Sequence, residues 1–495
     1  MRILIATSEV VPYAKTGGLA DVCGALPVAL AQLGHQPAVI VPGYRQAWSC
    51  GMSLEPLGID FVIPVGSKTM AGHLLRGRLP GSEVPVYVVR QDEYYDREGL
   101  YGEGGKDYSD NCERFVFFSR AVLEAIRLLE LEVDLIHAND WQTGLVPAYL
   151  KIEYQKVPRY RQVACLFTIH NIAYQGQFWH WDMLLTGLDW RHFNWHQMEF
   201  FGKLNLLKTG IVFADSINTV SPRYAEEIQT PQFGAGLHGV LQYRRDVLCG
   251  ILNGIDTTVW NPATDPHLAA HYTAETVSQG KARCKAALQE ETGLPRRSDV
   301  PLAGIISRLD RQKGLDIVAD ILPHWAADSD MQWVILGTGD PKLQRQLTQL
   351  AARYPKRIAC RIGFSDPLAH RIEAGADLFV MPSRYEPCGL NQLYSLRYGT
   401  VPVVRQTGGL ADTIVDVNQE TLALGTANGF SFREDTPQAL DETLHRAYDT
   451  YRRPDIWSQL VQTGMRQDWS WSRSAKEYVT LYEATIRRLT SPEAP

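Results

Sequence analysis

The chain of 495 residues has no apolar run near the ~20 residues that a membrane-spanning helix requires. It also lacks a cysteine framework. Eight cysteines are scattered between Cys23 and Cys388 with no Cys-x-x-Cys pair, which indicates neither a disulfide scaffold nor a cysteine zinc site and points to reduced, mostly buried thiols. Basic charge is not in excess. The formal net charge is −6, which argues against non-specific nucleic-acid binding, so an anionic ligand must be met by local positive groups. Low-complexity tracts are missing. So is a Gly-x-Gly-x-x-Gly with a later acidic ribose ligand, which argues against a dinucleotide-dependent oxidoreductase. Met1-Arg2-Ile3-Leu4 enters a strand pattern at once and leaves no room for a signal peptide, so a cytoplasmic location is expected.

Core material is ample, with 45% hydrophobic and 21% charged residues, the composition of a soluble globular protein. The length exceeds what one core organises, so two domains are expected. Residues 3–7, 38–41, 86–89, 134–137 and 166–169 read as short strands of a parallel α/β sheet with long insertions. A cleaner series follows at 303–306, 333–336, 358–362, 378–381 and 401–404, a doubly wound pattern. The linker falls near Cys249 to Trp260, giving a first domain at 1–250, a second at 251–465 and a C-terminal segment at 466–495. In that segment Tyr478, Leu481, Tyr482 and Ile486 form an apolar helical stripe. Trp179, Trp181, Trp190, Trp195 and Phe200 are expected to pack an insert against the first sheet in preference to forming a carbohydrate-stacking platform.

The hexapeptide Thr-Gly-Gly-Leu-Ala-Asp occurs at 16–21 and again at 407–412, each time between a strand-like run and a helix-like segment. Two such loops in separate halves suggest one cleft between them. After the first, Val22, Leu26, Leu30 and Leu33 recur at helical spacing. Gly17 and Gly18 are expected to allow φ > 0 and close ligand approach, while the N–H groups and dipole of the following helix favour an anion. Lys15 adds a mobile positive charge. The second copy has Gln406 in place of that lysine and reads as a sugar or phosphate cradle.

Arg308 and Lys313 follow a strand end in Ser-Arg-Leu-Asp-Arg-Gln-Lys-Gly, where an Arg–Lys pair makes a candidate diphosphate clamp. Gly337-Thr338-Gly339-Asp340 reads as tight turn geometry. Pro-Ser-Arg-Tyr-Glu-Pro-Cys-Gly-Leu at 382–390 again follows a strand and opens a helix, which makes Glu386 a ligand contact in preference to a helix cap. His137, Asp140 and His170 lie at two further strand ends, where a structural histidine is the alternative to a functional one. Metal sites are poorly supported. His192-x-x-x-His196 and His267-x-x-x-His271 have helical spacing but lack the Glu of a zinc-protease motif, and Asp328-Ser329-Asp330 precedes a strand and reads as a solvated helix end.

At these residues the chain resembles the bacterial glycogen synthase and plant starch synthase family over nearly its whole length. The motifs Lys-Thr-Gly-Gly-Leu-Ala-Asp-Val at 15–22, Ser-Arg-Leu at 307–309 with Lys-Gly at 313–314, Pro-Ser-Arg-Tyr-Glu-Pro-Cys-Gly-Leu and the second Thr-Gly-Gly-Leu-Ala-Asp-Thr stand in family order. The resemblance implies two Rossmann-like doubly wound α/β domains facing a cleft, the GT-B type, with a C-terminal helix crossing back to the first. It also implies a retaining glucosyl transfer from ADP-glucose to the non-reducing end of an α-1,4-glucan, with no metal and no pyridoxal phosphate as cofactor. Neither a nucleic acid nor a membrane is implied as a partner. Carried onto this chain, it makes Arg308 and Lys313 the pyrophosphate contacts, met by Lys15 and Gly18 from the opposite domain. Glu386 would bind the transferred glucose with His170, Asp140, Asn253, Cys388, Gly389, Thr407, Gly408 and Gly409. Phe364 stands where the family has a tyrosine thought to stack on adenine, and keeps the ring without the hydroxyl. A different retaining transferase, a phosphorylase-like enzyme that would need pyridoxal phosphate, and a non-catalytic glucan-binding protein remain alternatives on the same architecture.

Overall fold

Short runs of β-branched and aliphatic residues build two separate sheets, one mixed and one wholly parallel. The computed structural model describes residues 1–490, and these divide into one unit of Met1–Gly254 with the C-terminal helix and a second of Ile255–Ser470. Among the described residues no helix is long and apolar enough to cross a membrane.

The first unit holds β1 (Arg2–Ala6), β2 (Gln36–Pro42), β3 (Glu55–Val65), β4 (Lys68–Arg78), β5 (Pro85–Arg90), β6 (Leu135–Asn139), β7 (Ala164–Ile169), β8 (Ser216–Thr219) and β9 (Leu248–Gly250). They form one sheet in the order β9-β8-β7-β6-β1-β2-β5-β4-β3. Neighbours are parallel except at β3–β4 and β4–β5, which are antiparallel. The strands β6 and β7 are buried along their whole length, as central strands of a parallel sheet are; β7 is mostly apolar, whereas β6 ends in the buried polar residues His137 and Asn139. Strands β3, β4, β8 and β9 escape the sequence reading. The hairpin β3–β4 alternates exposed and buried residues at its inner end, the weaker period-two signal of a half-solvated edge. The helix Gly18–Gln32 buries Val22, Leu26 and Leu30. Leu33, expected to extend that stripe, caps the helix and is exposed.

In the second unit β10 (Leu302–Ile306), β11 (Gln332–Gly337), β12 (Ile358–Ile362), β13 (Leu378–Met381), β14 (Val401–Arg405) and β15 (Phe430–Phe432) are all parallel. Their spatial order is β12-β11-β10-β13-β14-β15. Counted within the unit this is 3-2-1-4-5-6, so the winding reverses between β10 and β13, and ligands of such sheets bind beyond the strand ends at that reversal. The Asp328 to Asp330 segment is a helix end, with Ser329 as C-cap and Asp330 accepting from Tyr448.

Both boundaries fall a few residues beyond those read from sequence. Ile255 N–H donates to the carbonyl of Trp469 at 2.8 Å, which ties the two ends of the second unit together. Beyond them the helix Trp471–Thr490 belongs to the first unit and packs Trp471, Ala475, Tyr478 and Tyr482 into the same core as Leu19, Val22 and Leu26. This helix explains His137. The imidazole is buried, bonded to Tyr482 OH at 2.9 Å and to Thr168 Oγ1 at 2.5 Å, and burial pushes it down to about 3. It is a neutral structural histidine.

The aromatic-rich segment departs from expectation. Phe200 is buried, but Trp179, Trp181, Trp190 and Trp195 are exposed. The short antiparallel strands Gln177–Trp179, Glu199–Phe200 and Lys203–Asn205 form their own three-stranded sheet, and the rings pack on each other, Trp181 on Trp190 at 5.5 Å and Trp190 on Phe193 at 5.1 Å. Nor are the two histidine pairs helical. His192 closes a 3₁₀ turn, and 261–275 is irregular.

Candidate functional site

Two loops leave the reversal point of the second unit, 307–314 after β10 and 382–390 after β13. Lys313 Nζ and Glu386 Oε2 meet at 2.6 Å, and Ser383 Oγ donates to the same oxygen at 2.9 Å. Glu386 is buried, and a buried carboxylate requires a paired charge and hydrogen bonds. Arg308, in the same loop, is more than half exposed (53%), held by Asp310 at 3.1 Å and by Gln312 at 2.9 Å. Both of its bonds lie within its own loop, so its guanidinium can turn to another anion.

What fixes these loops was not visible as a motif. Arg384 N–H donates to Gln312 O at 2.8 Å, and its guanidinium donates to Arg311 O at 2.5 Å, to both Asp316 oxygens at 2.7 and 3.0 Å, and to Asp435 at 2.8 Å. One arginine thus binds the two loops together. Gly314 (φ +71°) lies so close to the carbonyl of Pro382 that a Cβ would collide with it. The turn Gly337 to Asp340 braces the first loop from the other side, Leu309 N–H donating to Thr338 O at 2.9 Å and Asp340 N–H to Leu309 O at 2.7 Å.

The second Thr-Gly-Gly copy lies against the back of Glu386. Gly409 N–H donates to the carbonyls of Glu386 and Pro387 at 3.1 and 3.2 Å. A Cβ on Gly408 (φ +45°) would strike the Glu386 carbonyl, and one on Gly409 the Cys388 carbonyl. These glycines are therefore required by protein backbone first, with Thr407 and Cys388 buried beside them and Gly389 turning at φ +71°. Arg308, Lys313, Glu386, Cys388, Gly389, Thr407, Gly408 and Gly409 are brought to one end of one sheet. Phe364 stands apart from them. It is 88% exposed, on the loop after the edge strand β12, two strand spacings or about 10 Å from β10.

In the first unit the winding reverses between β1 and β6, and the loops after β1, β6 and β7 carry the remaining candidates. In the first Thr-Gly-Gly copy the N–H groups of Thr16 and Gly17, which precede the helix, are already taken. Glu9, buried and absent from the sequence reading, accepts from Thr16 N–H at 2.6 Å, Gly17 N–H at 3.0 Å, Thr16 Oγ1 at 2.6 Å and Tyr101 OH at 2.7 Å. The anion that this turn favours is a carboxylate of the chain itself. Gly17 is extended (φ −154°), so it needs no left-handed backbone, and Gly18 is the first helical residue. Lys15 is exposed and paired with Asp21 at 2.7 Å.

Asp140 and His170 come together. Asp140, at φ +56°, accepts the His170 N–H at 2.8 Å. Burial first, and the charge of Glu9 second, push its carboxyl up to about 7 against the pull of the His170 and Asn171 N–H groups. Burial pushes His170 down to about 3. Asn139 donates from Nδ2 to Ala6 O and His137 O, both at 3.1 Å, so its Oδ1 is the acceptor for His170 Nε2 at 2.9 Å. His170 is thus neutral with its proton on Nε2, which leaves Nδ1 as an acceptor. Asn253, near the end of the first unit, is buried with Oδ1 unbonded. An orphaned buried acceptor suits a hydroxyl donor.

Chemically, the second unit presents two cations over an anchored carboxylate, and the first presents neutral hydrogen-bonding groups. Comparisons with known proteins agree on one class. The model of the starch synthase catalytic domain matches residues 2–243, and that of glycosyl transferases group 1 matches 289–460. The chain is 48% identical to the glycogen synthase of Rhodopirellula baltica, covering 98% of both chains. It is 50% identical to that of Anaeromyxobacter dehalogenans, covering 97% of this chain and 99% of the other. Its fold matches the catalytic domain of starch synthase IV from Arabidopsis thaliana, solved with ADP and acarbose, at a TM-score of 0.89 and 33% identity over 98% and 99% of the two chains.

The raised carboxyl gives a testable sign. Native Asp140 keeps its proton where the unfolded chain has lost it, so it costs stability increasingly as pH rises from about 4 to about 7. Asp140→Asn keeps the acceptor for His170 N–H and cannot ionise. Urea unfolding should show the variant gaining on the parent across that window, by on the order of 2–4 kcal/mol. A stability difference that does not change with pH would show that Asp140 titrates normally.

Proposed function

The chain belongs to the glycogen synthase and starch synthase family of glycosyltransferases, and from that premise we propose that it transfers glucose from ADP-glucose to the non-reducing end of an α-1,4-glucan with retention, releasing ADP. The observation that carries this reading is the Lys313–Glu386 contact at 2.6 Å beside Arg308 at the reversal of the second sheet. As the bond from C1 of glucose to the diphosphate breaks, negative charge grows on the departing ADP. Arg308 and Lys313 are the cations placed to meet it, so transfer is assigned neither a divalent ion nor pyridoxal phosphate. Glu386 keeps its bond from Ser383 when Lys313 turns to the donor, and accepts from the glucose hydroxyls. It stabilises positive charge at the sugar and is not assigned as a nucleophile.

Phe364 supports a nucleotide in the same unit. An exposed ring about 10 Å along the sheet edge from β10 suits the span between a base and its diphosphate. On the same reading Lys15, Gly18, Asp140, His170 and Asn253 of the first unit are assigned to substrate binding. The neutral His170 and the orphaned Asn253 oxygen fit sugar hydroxyls better than phosphate. The exposed tryptophans from Trp179 to Trp195 supply flat faces for a glucan.

Radiolabelled ADP-glucose with glycogen as acceptor should give incorporation that exceeds that from UDP-glucose, and Lys15→Ala, Arg308→Ala and Lys313→Ala should each reduce it about 100- to 1,000-fold with unchanged circular dichroism. Near-normal turnover in all three variants would remove the charge clamp from the mechanism.

Phe364→Leu should weaken ADP binding by roughly 1–3 kcal/mol, the worth of base stacking on an aromatic ring, while the Michaelis constant for glycogen stays put. Calorimetry that finds ADP affinity unaltered would take the base away from Phe364.

A further inference from the structure

A second cluster of the second unit lies outside the residues assigned to transfer. His267 has a partner that sequence spacing hides: not His271, whose Nε2 is bonded to the Asp265 carbonyl at 2.8 Å, but His370 on the helix Asp366–Gly375. One ligand atom each from His267, Asp366 and His370 lie within 4.8 Å of one another, and His370 Nε2 is 3.9 Å from Asp366 Oδ2. The rings of His267 and His370 have centroids 5.0 Å apart.

The surroundings prepare His370 as a ligand. It is 2% exposed, and its Nδ1 donates to Asp265 Oδ2 at 2.7 Å. Asp265 also accepts from Tyr398 OH at 2.6 Å and from His267 N–H at 2.9 Å, which fixes its carboxylate behind the ring. With Nδ1 donating, Nε2 carries the lone pair and makes no hydrogen bond. Trp260 stacks flat on His370, centroids 3.8 Å apart at 6°, and on Tyr394, 3.8 Å apart at 10°, which locks the ring plane. A carboxylate behind one nitrogen and an open lone pair on the other is how metal-ligating histidines are held. The imidazole of His267 makes no hydrogen bond either, and Asp366 is exposed on the first turn of its helix.

We propose that His267, Asp366 and His370 form a three-ligand site for a zinc-type transition metal ion, with water in the fourth position and Asp265 orienting His370. Two imidazoles and a carboxylate suit zinc. Tetrahedral zinc with bonds of about 2.0–2.1 Å sets its ligand atoms roughly 3.3–3.5 Å apart, and the exposed Asp366 side chain has the freedom to close from 3.9 Å. The ion would fasten the segment at 265–267 to the start of the helix Asp366–Gly375, two residues after Phe364, and so steady the loop that bears that ring. It lies on a different set of residues from Arg308, Lys313 and Glu386. Its role is structural, and transfer does not run through it.

The test is zinc titration of the full chain after EDTA treatment and removal of the chelator. Calorimetry should give one equivalent per chain, and cobalt in its place should give the visible absorption of a tetrahedral complex. His267→Gln and Asp366→Asn should each weaken zinc binding at least about tenfold and abolish the rise in thermal midpoint that zinc produces in the parent. His445→Gln, in the exposed cluster of His324, Asp441 and His445, should change neither. Absence of stoichiometric binding, binding indifferent to His267→Gln and Asp366→Asn, or binding lost with His445→Gln would each overturn the site. Glucosyl transfer by the EDTA-treated chain, expected unchanged, reports on the Arg308 and Lys313 clamp alone and so separates the two readings.

Discussion

One buried carboxylate sets the terms for the second unit. A carboxylate withdrawn from water needs a cation and a donor, and Glu386 has Lys313 at 2.6 Å and Ser383 at 2.9 Å. Lys313 and Glu386 come from different strand ends, so the pair holds only if the two loops are held. Arg384 does this with bonds to Gln312, Arg311, Asp316 and Asp435. Gly314, Gly408 and Gly409 do it by letting backbone come closer than a Cβ would allow. Breaking a buried pair of this kind from one side costs about 3–5 kcal/mol, so the surrounding geometry serves a charge arrangement that packing alone would not select. An electrostatic catalyst needs such preorganisation, because its dipoles and charges must not have to reorganise while the bond breaks.

The first unit answers with the opposite electrostatics. Its strand-end groups are neutral or pushed toward neutrality by burial: His170 down to about 3, Asp140 up to about 7. Its buried carboxylate, Glu9, spends its acceptors on the turn at Thr16 and Gly17. Lys15 aside, the side chains gathered at these strand ends are suited to hydrogen-bonding hydroxyls more than to pairing with charge. The division follows from the sheets: each carries its loops at a winding reversal, but among those loops only the one after β10 has three basic side chains, Arg308, Arg311 and Lys313.

Legibility in the sequence followed apolar content and length. Strands that carry runs of aliphatic residues, β7, β10, β11, β13 and β14 among them, were found where those runs lie, and so was the edge strand β12 with its Ile358 to Ile362 run. Others were not: β3 and β4 alternate, β8 is buried but written Ser-Ile-Asn-Thr, and β9 and β15 have three residues each. Arg308, Lys313 and Glu386 were legible because strand-end position and charge coincide. Arg384 stood inside the same motif and was passed over, since a residue whose partners are two carboxylates and two carbonyls from other segments has no sequence signature. The exposed tryptophans were misread for a related reason: composition gives the number of large rings, whereas exposure depends on the separate three-stranded sheet, which holds Trp179, and on the turns between its strands, which hold the others.

The repeated hexapeptide is the sharpest case, because six identical residues are used for different purposes. At 16–21 the turn is extended at Gly17, nothing lies within 4 Å of where its Cβ would be, and the N–H groups are closed by the carboxylate of Glu9. At 407–412 Gly408 is left-handed, both glycines press on the 386–388 backbone, and the Gly409 N–H is closed by the Glu386 and Pro387 carbonyls. At 407–412 the bonded Gly409 N–H lies in the first turn of its helix, so a main-chain carbonyl satisfies one of that helix's orphan donors. At 16–21 the bonded N–H groups of Thr16 and Gly17 precede the helix, which begins at Gly18, so the Glu9 carboxylate fixes the entry to the helix and takes none of its first-turn donors. Closing the second turn with a carbonyl keeps the carboxylate of Glu386 available to Lys313 at 2.6 Å, whereas that of Glu9 is consumed in holding its own turn.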